Sequence, residues 1–178
     1  MSEPTDIVLR FAYPPPPSTD IRTFRVYQVI AGSESETSGE LELYKFLHPA
    51  TGHGPGITTY HRKNMITLLF DTAGQIEWTS NTSATAYIGA DEVSVKDLRR
   101  VKYASSQSRR FKVSGAEYKW KMSENGVDMF CIDSKEKHIA TWTQETQLLK
   151  VAPRAGTMLD RLVVTCFLNT WFKQLGKW

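Results

Sequence analysis

Basic side chains are concentrated in one stretch of the chain, between Lys96 and Lys121. The stretch holds nine lysines and arginines against two acidic residues, a local balance of +7 in a chain whose formal net charge is +3. Clustered cations attract phosphates and anionic lipid headgroups, because each basic side chain near an anionic surface adds about 1 kcal/mol of binding free energy. The predicted anion-binding residues are Lys96, Arg99, Arg100, Lys102, Arg109, Arg110, Lys112, Lys119 and Lys121.

The alternation at the end of this stretch predicts how two of the cations are presented. Lys119 and Lys121 alternate with Tyr118, Trp120 and Met122, so both lysines should lie on the outward face of one strand. The alternative interpretation is a solvated face whose lysines protect the sheet against edge-to-edge pairing. We expect an anionic membrane surface or a protein as partner, and the modest net charge of the chain does not predict a nucleic-acid partner.

Three histidines, His48, His53 and His61, lie in or beside a glycine-rich loop. Neutral imidazole is a common ligand of zinc and copper, but the spacings of five and eight residues match no familiar set of metal ligands. No cysteine or pair of carboxylates completes a coordination shell. The sequence therefore predicts no metal site and no cofactor.

No catalytic signature occurs in the sequence. The glycine-rich run Gly52–Gly56 lacks the lysine and the following helix of a phosphate-binding loop, and nucleophile elbows and HExxH motifs are absent. The catalytic residues are therefore unknown, and a non-enzymatic binding module is the preferred interpretation. The alternative is an enzyme, with His61, Asp71, Glu77 and Asp128 as scattered candidates, or a carrier of a small apolar ligand inside or at the mouth of a barrel.

The aromatic and cysteine residues of the strands indicate a packed interior. Trp78, Trp120 and Trp142 each sit in an alternating segment, which favours aromatic packing over stacking against a bound ligand. Cys131 and Cys166 have apolar neighbours in the sequence, and free cysteine behaves as a small hydrophobic residue. We expect both thiols to be buried and unpaired.

The chain before the C-terminal stretch predicts about a dozen short strands separated by turns. Ile21–Ile30 alternates as a strand does, and Asn125-Gly126 is the strongest hairpin signal. Met65–Phe70 is also predicted as a strand, with Asp71–Gly74 as the turn after it. Because a sheet of so many strands tends to curl or close, we expect a mainly β fold, an antiparallel barrel of about twelve strands or a strongly curled sheet.

The last stretch, Thr157–Leu175, predicts a hydrophobic helix that the strands enclose. Its apolar residues point in nearly every direction, so it must be buried, and Thr157 with Asp160 resembles a capping box. Its uncharged run Leu162–Phe172 is eleven residues long, whereas a membrane span needs roughly 20. The sequence therefore predicts no transmembrane span.

The length of 178 residues predicts a single domain. Residues 1–20 supply a strand and a proline-rich connector, residues 21–152 the remaining strands, and residues 157–175 the central helix. The opening MSEPTDIVLRF has neither the basic nor the apolar region of a secretory signal. We expect an intracellular, cytoplasmic protein that is at most peripheral to a membrane.

Five segments carry a resemblance to known proteins: ITTYHRKN, LLFDTAGQIEW, RRFKVSGAEYKWK, KHIATW and LDRLVVTCFLNTWF. They resemble a family of small fungal, basidiomycete-type domains of unknown function. The predicted architecture also resembles the tubby C-terminal, LURP-one and phospholipid-scramblase superfamily, in which a twelve-stranded barrel encloses a C-terminal helix. That resemblance implies binding of phosphoinositides or membranes. The sequence does not match the tubby lipid-binding motif, nor the cysteine cluster and calcium segment of scramblases. The resemblance to the superfamily therefore assigns no site residue.

Overall fold

The computed structural model describes residues 5–16, 20–30, 39–49 and 55–178. Within these residues the chain is mainly β, with a short helical turn, α1 (Val95–Leu98), a 3₁₀ helix (Pro153–Met158) and a C-terminal helix, α2 (Leu159–Gln174). The strands are β1 (Ile7–Ala12), β2 (Phe24–Ile30), β3 (Gly39–Leu47), β4 (Gly56–Lys63), β5 (Phe70–Ser80), β6 (Ser83–Ile88), β7 (Asp91–Ser94), β8 (Ser108–Val113), β9 (Ala116–Met122), β10 (Met129–Asp133), β11 (His138–Thr143) and β12 (Leu148–Val151).

The described strands form one antiparallel sheet in the order β7-β6-β5-β4-β3-β2-β1-β12-β11-β10-β9-β8. This confirms the predicted mainly β fold with about twelve antiparallel strands. The order ends at β7 and at β8, so the sheet is open rather than closed into a barrel. The outer edge of β8 is partly covered instead, because Arg100 and Arg110 exchange backbone hydrogen bonds of 2.9 and 2.8 Å.

The described residues divide into two compact units. Unit 1 contains residues 5–10 and 97–178, with strands β8 to β12, the start of β1 and helix α2. Unit 2 contains the described residues between 11 and 96, with strands β2 to β7. Each unit is described by itself below, and the prediction of a single domain stays a prediction.

Helix α2 is buried on every face, as its sequence predicts. Leu159 and every residue from Arg161 to Phe172 are buried. The buried hydroxyl of Thr165 is paired: its Oγ1 donates to the carbonyl of Arg161 at 2.8 Å and accepts the indole N–H of Trp120 at 2.9 Å. Hydroxyl bonds of this kind let a polar residue remain inside a helix without an unpaired group.

The predicted start of the helix is wrong. Thr157 lies inside the 3₁₀ helix, α2 begins at Leu159, and the N-cap residue Met158 makes no side-chain capping bond. Pro153 stands in the first turn of the 3₁₀ helix, where its fixed φ and missing N–H cause no loss. The 3₁₀ turn therefore leads the chain into α2, and the expected capping box does not form.

The predicted strand Met65–Phe70 and the predicted turn Asp71–Gly74 are also wrong. Strand β4 ends at Lys63, residues 64–69 form the connection, and β5 runs without interruption from Phe70 to Ser80. The side chain of Asn64 turns the chain early, because its Oδ1 accepts the N–H groups of Ile66 and Thr67 at 2.9 and 3.2 Å. An asparagine that bonds its own backbone in this way competes with strand pairing.

The predicted interior residues are confirmed. Trp78, Trp120 and Trp142 are at most 3% exposed, and Cys131 and Cys166 are buried free thiols. Burial raises the pKa of both thiols. Neither cysteine therefore has the thiolate character that nucleophilic or redox chemistry requires.

None of the helices in the described part of the chain combines the length and the hydropathy needed to cross a bilayer.

Candidate anion-binding face

Strands β8 and β9 present their cations in register on one side of unit 1. They pair antiparallel, with Arg110 opposite Lys119, Ser108 opposite Lys121 and Lys112 opposite Glu117. The residues between these point to the other side of the sheet, where Phe111 and Trp120 are buried. Directly opposite side chains on paired strands lie about 5 Å apart at Cβ, so the cations form a compact group.

The turn between the two strands fixes this register. Ser114 and Gly115 both have positive φ values, of 48° and 82°. Two such residues in a row are characteristic of the tight hairpin turn whose twist matches that of the strands. A slip of one residue would move every cation to the other side of the sheet, so the turn is what keeps Arg110, Lys119 and Lys121 on the side opposite to Phe111 and Trp120.

Two carboxylates partly balance the group. Glu117 pairs with Arg110 and lies 3.6 Å from Arg100, and Glu136 pairs with Lys119 at 2.5 Å. Among the described residues Lys112 and Lys121 form no ion pair. The hydrogen bond from Lys119, helped by the charges of Lys119, Lys121 and Arg110, holds the pKa of Glu136 below its usual range despite the opposing effect of desolvation.

Five of the predicted residues therefore share one surface. We call this surface the basic face and define it as Arg100, Arg110, Lys112, Lys119 and Lys121. With Glu117 and Glu136 it retains a net charge of +3, since five cations meet two carboxylates. A surplus of this kind attracts anions, and it is smaller than the sequence alone suggests.

Two of the predicted cations are held by the C-terminal segment instead. Arg99 donates from Nε to Asn169 Oδ1 at 2.8 Å and lies 3.8 Å over the ring of Phe172. Arg109 is buried, lies 5.1 Å over the ring of Trp178, and donates to the backbone of the loop before β8. Burial, with the nearby charge of Arg109, lowers the pKa of Arg99 to about 9, so it stays protonated at neutral pH. Both guanidinium groups hold helix α2 and the chain end rather than facing a ligand.

The remaining two predicted cations stand apart from the basic face. Lys96 is an exposed residue of α1 and belongs to unit 2. Lys102 is exposed in the segment between α1 and β8, and its ammonium lies 5.4 Å from the ring of Tyr103. The structure gives neither lysine a place in the paired strands.

The family of the chain follows from its sequence match. The model of a family of unknown function, DUF6593, matches residues 29–172, which is most of the chain. The chain belongs to this family. Comparison with curated proteins and with solved structures gives no match. The DUF6593 match includes the whole basic face and nearly all of α2, and it leaves out β1 and the end of the chain that holds Trp178.

Aromatic side chains that the sequence did not single out border the basic face of this DUF6593 protein. Phe130 of β10 stands opposite Lys121, and its ring stacks on His138 with centroids 6.0 Å apart. Glu136, the partner of Lys119, comes from the turn between β10 and β11. The alternation of β10 and β11 could have indicated the two rings, but the pairing that brings Glu136 to Lys119 depends on strand order.

A buried polar cluster in unit 2 includes one of the predicted histidines. His48 Nδ1 and Trp78 Nε1 both lie 2.9 Å from Thr58 Oγ1, and Arg22 lies over the Trp78 ring with its guanidinium bonded to Asp20. Burial and the charge of Arg22 lower the pKa of His48. The bonds of Thr58 tie β4 to β5 and to the residue that follows β3, whereas the bond between Arg22 and Asp20 is local.

The other histidines do not converge on this cluster. His53 lies outside the described residues, and His61 contacts Thr72 at 3.3 Å. In the part of the chain that the structure describes, no three histidine, cysteine or acidic side chains are placed to hold a metal ion together.

The scattered catalytic candidates are each engaged in local hydrogen bonds. Asp71 accepts from Asn64 at 3.1 Å, and Glu77 accepts from Gln75 at 2.7 Å. Asp128 accepts the backbone N–H of Gln144 at 2.8 Å and the side-chain amide of Asn125, and these two bonds lower its pKa. Asp128 lies in unit 1 and the other candidates in unit 2, and within unit 2 no bond joins His61, Asp71 and Glu77 to one another. These contacts stabilise turns and strand pairs.

Proposed function

We propose that this DUF6593 protein is a non-enzymatic binding module that holds a phosphate-bearing anion, such as an anionic lipid headgroup, on the basic face. The observation that carries the proposal is the register of β8 and β9, which places Arg110 opposite Lys119 with Lys112 and Lys121 beside them. Because these side chains stand on paired strands rather than on a loop, their spacing is preorganised and binding costs little ordering of the backbone.

The two lysines without ion-pair partners are the main source of affinity in this proposal. Lys112 and Lys121 can approach a phosphate without breaking an existing pair, whereas Lys119 would have to share its ammonium with Glu136. Arg110 adds a planar guanidinium, which binds phosphate oxygens in pairs. At about 1 kcal/mol for each cation near an anionic surface, Lys112 and Lys121 together would contribute about 2 kcal/mol.

The resemblance described above supports the lipid version of the proposal. Twelve antiparallel strands followed by a buried C-terminal helix are what a likeness to the tubby, LURP-one and scramblase superfamily implies. On this view the chain is a fungal, intracellular protein that acts at the periphery of a membrane. Fold alone does not carry a function from one protein to another, so the basic face remains the ground of the proposal.

The experiment compares two matched double variants in vesicle co-sedimentation. Lys112→Gln/Lys121→Gln removes two cations from the basic face without breaking an ion pair among the described residues. Lys150→Gln/Lys177→Gln removes two exposed cations from elsewhere in unit 1. The vesicles contain phosphatidylcholine alone, phosphatidylcholine with phosphatidylserine, or phosphatidylcholine with a phosphoinositide.

We expect salt-sensitive binding to the anionic vesicles that the first variant weakens by roughly 30-fold, in line with about 2 kcal/mol. The second variant should bind nearly as the wild type does. Calorimetry with inositol hexakisphosphate separates a free phosphate ligand from a lipid. Absence of binding to anionic vesicles and to the soluble phosphate, or equal losses in both variants, would contradict the proposal.

A further inference from the structure

The connection between β4 and β5 in unit 2 exposes a group of large apolar side chains. We call residues Met65–Leu69 the apolar tip. Ile66 is 93% exposed, Leu69 68%, Leu68 61% and Met65 54%. Single exposed apolar residues are ordinary, but four within five positions at the end of a hairpin form a patch that marks an interaction site.

The backbone of the apolar tip satisfies its own hydrogen bonds. Asn64 donates its N–H to the carbonyl of Leu69 at 2.7 Å, and its own carbonyl accepts the N–H of Leu68 at 2.8 Å. Asn64 Oδ1 accepts the N–H groups of Ile66 and Thr67, and Thr67 Oγ1 accepts that of Leu69 at 3.3 Å. Four of the five N–H groups in the tip are thus paired internally. A backbone with its donors paired loses little when it leaves water.

Cations lie close to the start of β5, next to the tip. Lys45 Nζ is 4.0 Å and Lys63 Nζ 5.1 Å from the centroid of the Phe70 ring. Arg62 lies 5.6 Å from the ring of Tyr44. Of the acidic groups nearby, Asp71 bonds to Asn64, and Glu42 pairs with Arg25 at 2.7 Å and with Lys45 at 3.9 Å.

A shallow depression connects the cations to the apolar tip. It has a volume of about 410 Å³, and its lining includes Arg62, Lys63, Met65 and Ile66. Asp71 also lines it, so the two cations outnumber the one carboxylate there. Cations beside apolar side chains match the two parts of an anionic phospholipid, its headgroup and its acyl chains. Four exposed apolar side chains beside a group of cations suit the interface of an anionic bilayer, which offers acyl chains and negative headgroups together.

We propose that the apolar tip inserts into the interface of an anionic lipid bilayer while Lys45, Arg62 and Lys63 contact the headgroups. Interfacial segments of this kind bury their apolar side roughly 5–10 Å into the boundary between headgroups and acyl chains. The inference rests on residues of unit 2 alone and does not depend on the basic face, which belongs to unit 1. Membrane contact through the tip and anion binding on the basic face are therefore separable.

A single label at the tip measures insertion directly. Ile66→Cys introduces an accessible thiol, which is labelled with an environment-sensitive fluorophore. The label should be selective for this position because Cys131 and Cys166 are buried. We expect a blue shift on mixing with vesicles of phosphatidylcholine and phosphatidylserine, and quenching by lipids brominated on the acyl chain. A label that stays in water with these vesicles overturns the proposal.

Matched variants test the contribution of the apolar side chains. Ile66→Ser/Leu69→Ser changes two exposed tip residues, and Ile30→Ser/Ile57→Ser changes two exposed isoleucines elsewhere in unit 2, which are 51% and 45% exposed. Both variants should fold as the wild type does, which circular dichroism checks. The affinity of the tip variant for anionic vesicles should fall by at least roughly tenfold, because two large apolar side chains no longer leave water. The control should bind within about twofold of the wild type.

The remaining outcomes separate the tip from the basic face and from a protein interface. Lys112→Gln/Lys121→Gln should leave the blue shift in place at saturating lipid, so a failure of the proposed function does not decide this inference. Equal binding by the tip variant and its control overturns the inference. It is also overturned if the chain self-associates through the tip, with Ile66→Ser/Leu69→Ser abolishing a concentration-dependent dimer and no vesicle binding by the wild type.

Discussion

Two apolar stretches, Leu162–Phe172 in unit 1 and the apolar tip Met65–Leu69 in unit 2, differ completely in burial. Every residue of the first is buried in α2, whereas Ile66 in the second is 93% exposed. Both are mainly apolar, with two threonines and an asparagine in the first stretch and one threonine in the second. Both stretches pair backbone groups internally, α2 through its helical bonds and the tip largely through Asn64, so backbone hydrogen bonding does not account for the difference in burial.

An apolar run is buried only if the rest of the chain supplies side chains that pack around it. Helix α2 has Trp120 bonded to Thr165 and, about one turn further along the same face, Arg99 bonded to Asn169. The apolar tip is exposed instead, and next to it Lys45 and Lys63 lie close to the ring of Phe70. The tip is thus an exposed apolar group on a charged base, which is the arrangement of a surface that meets a membrane.

The largest expected effect comes from placing the same charge in each stretch. Phe167→Asp would bury an unpaired carboxylate in α2 and should cost several kcal/mol, which is enough to prevent folding of a protein with ordinary stability. Ile66→Asp should change the free energy of unfolding by only about 0.5 kcal/mol, since that side chain is already in water. Urea denaturation followed by circular dichroism measures both. A stable Phe167→Asp protein would show that α2 is peripheral.

The sequence predicts the buried stretch much better than the exposed one. The periodicity of β9, which runs from Ala116 to Met122 as expected, and the all-round apolar character of α2 both follow from local patterns. The strand predicted at Met65–Phe70 fails because its apolar residues resemble a strand, while the interaction that decides the turn is a side-chain bond from Asn64.

The basic face was predicted in part for the same reason. Alternation places Lys119 and Lys121 on one side of β9, and that prediction needs only neighbouring residues. The roles of Arg99 and Arg109 depend on Asn169, Phe172 and Trp178, about seventy residues further along the chain. No local pattern distinguishes a guanidinium that binds the chain end from one that faces solvent.

An intermediate effect is expected at the two asparagines that shape turns. Asn125 repeats the arrangement of Asn64, since its Oδ1 accepts the N–H groups of Val127 and Asp128 and its Nδ2 donates to Asp128. Asn64→Ala and Asn125→Ala should each cost about 1 kcal/mol, because the freed N–H groups regain water. Thermal unfolding compares the two stabilities.

Vesicle binding should separate these two variants. Asn64→Ala leaves the N–H groups of Ile66 and Thr67 unpaired, and these would have to leave water when the apolar tip inserts. Asn125→Ala disturbs a turn of unit 1 and should not weaken insertion. Equal vesicle binding by both variants would mean that the internal hydrogen bonds of the tip play no part in membrane contact.

The smallest expected effect is a pH dependence of stability around the buried indole of Trp78 in unit 2, which the buried indole of Trp120 in unit 1 should not share. The bond from Trp120 to Thr165 involves no titratable group. Trp78, in contrast, donates to the hydroxyl of Thr58, which is also bonded to the titratable ring of His48. Burial and the charge of Arg22 lower the pKa of His48 below its ordinary value of about 6.5, with Asp20 opposing them. Below that pH the unfolded chain binds more protons than the folded one, so stability falls as the pH decreases.

Hydrogen exchange of β4 amides measured between about pH 7.5 and pH 5.5 tests this dependence, with intrinsic exchange rates corrected for pH. The window lies above the ordinary pKa of aspartate and glutamate, so the lowered pKa values of Asp20 and Asp133 add little there. His48→Gln should flatten the dependence in β4, whereas His138→Gln, which changes an exposed histidine of unit 1, should not. If the protection of the β4 amides in the wild type does not change across this range, His48 contributes no pH dependence to stability and the prediction is wrong. The contacts of Trp78 and Trp120 would then not differ in their response to pH.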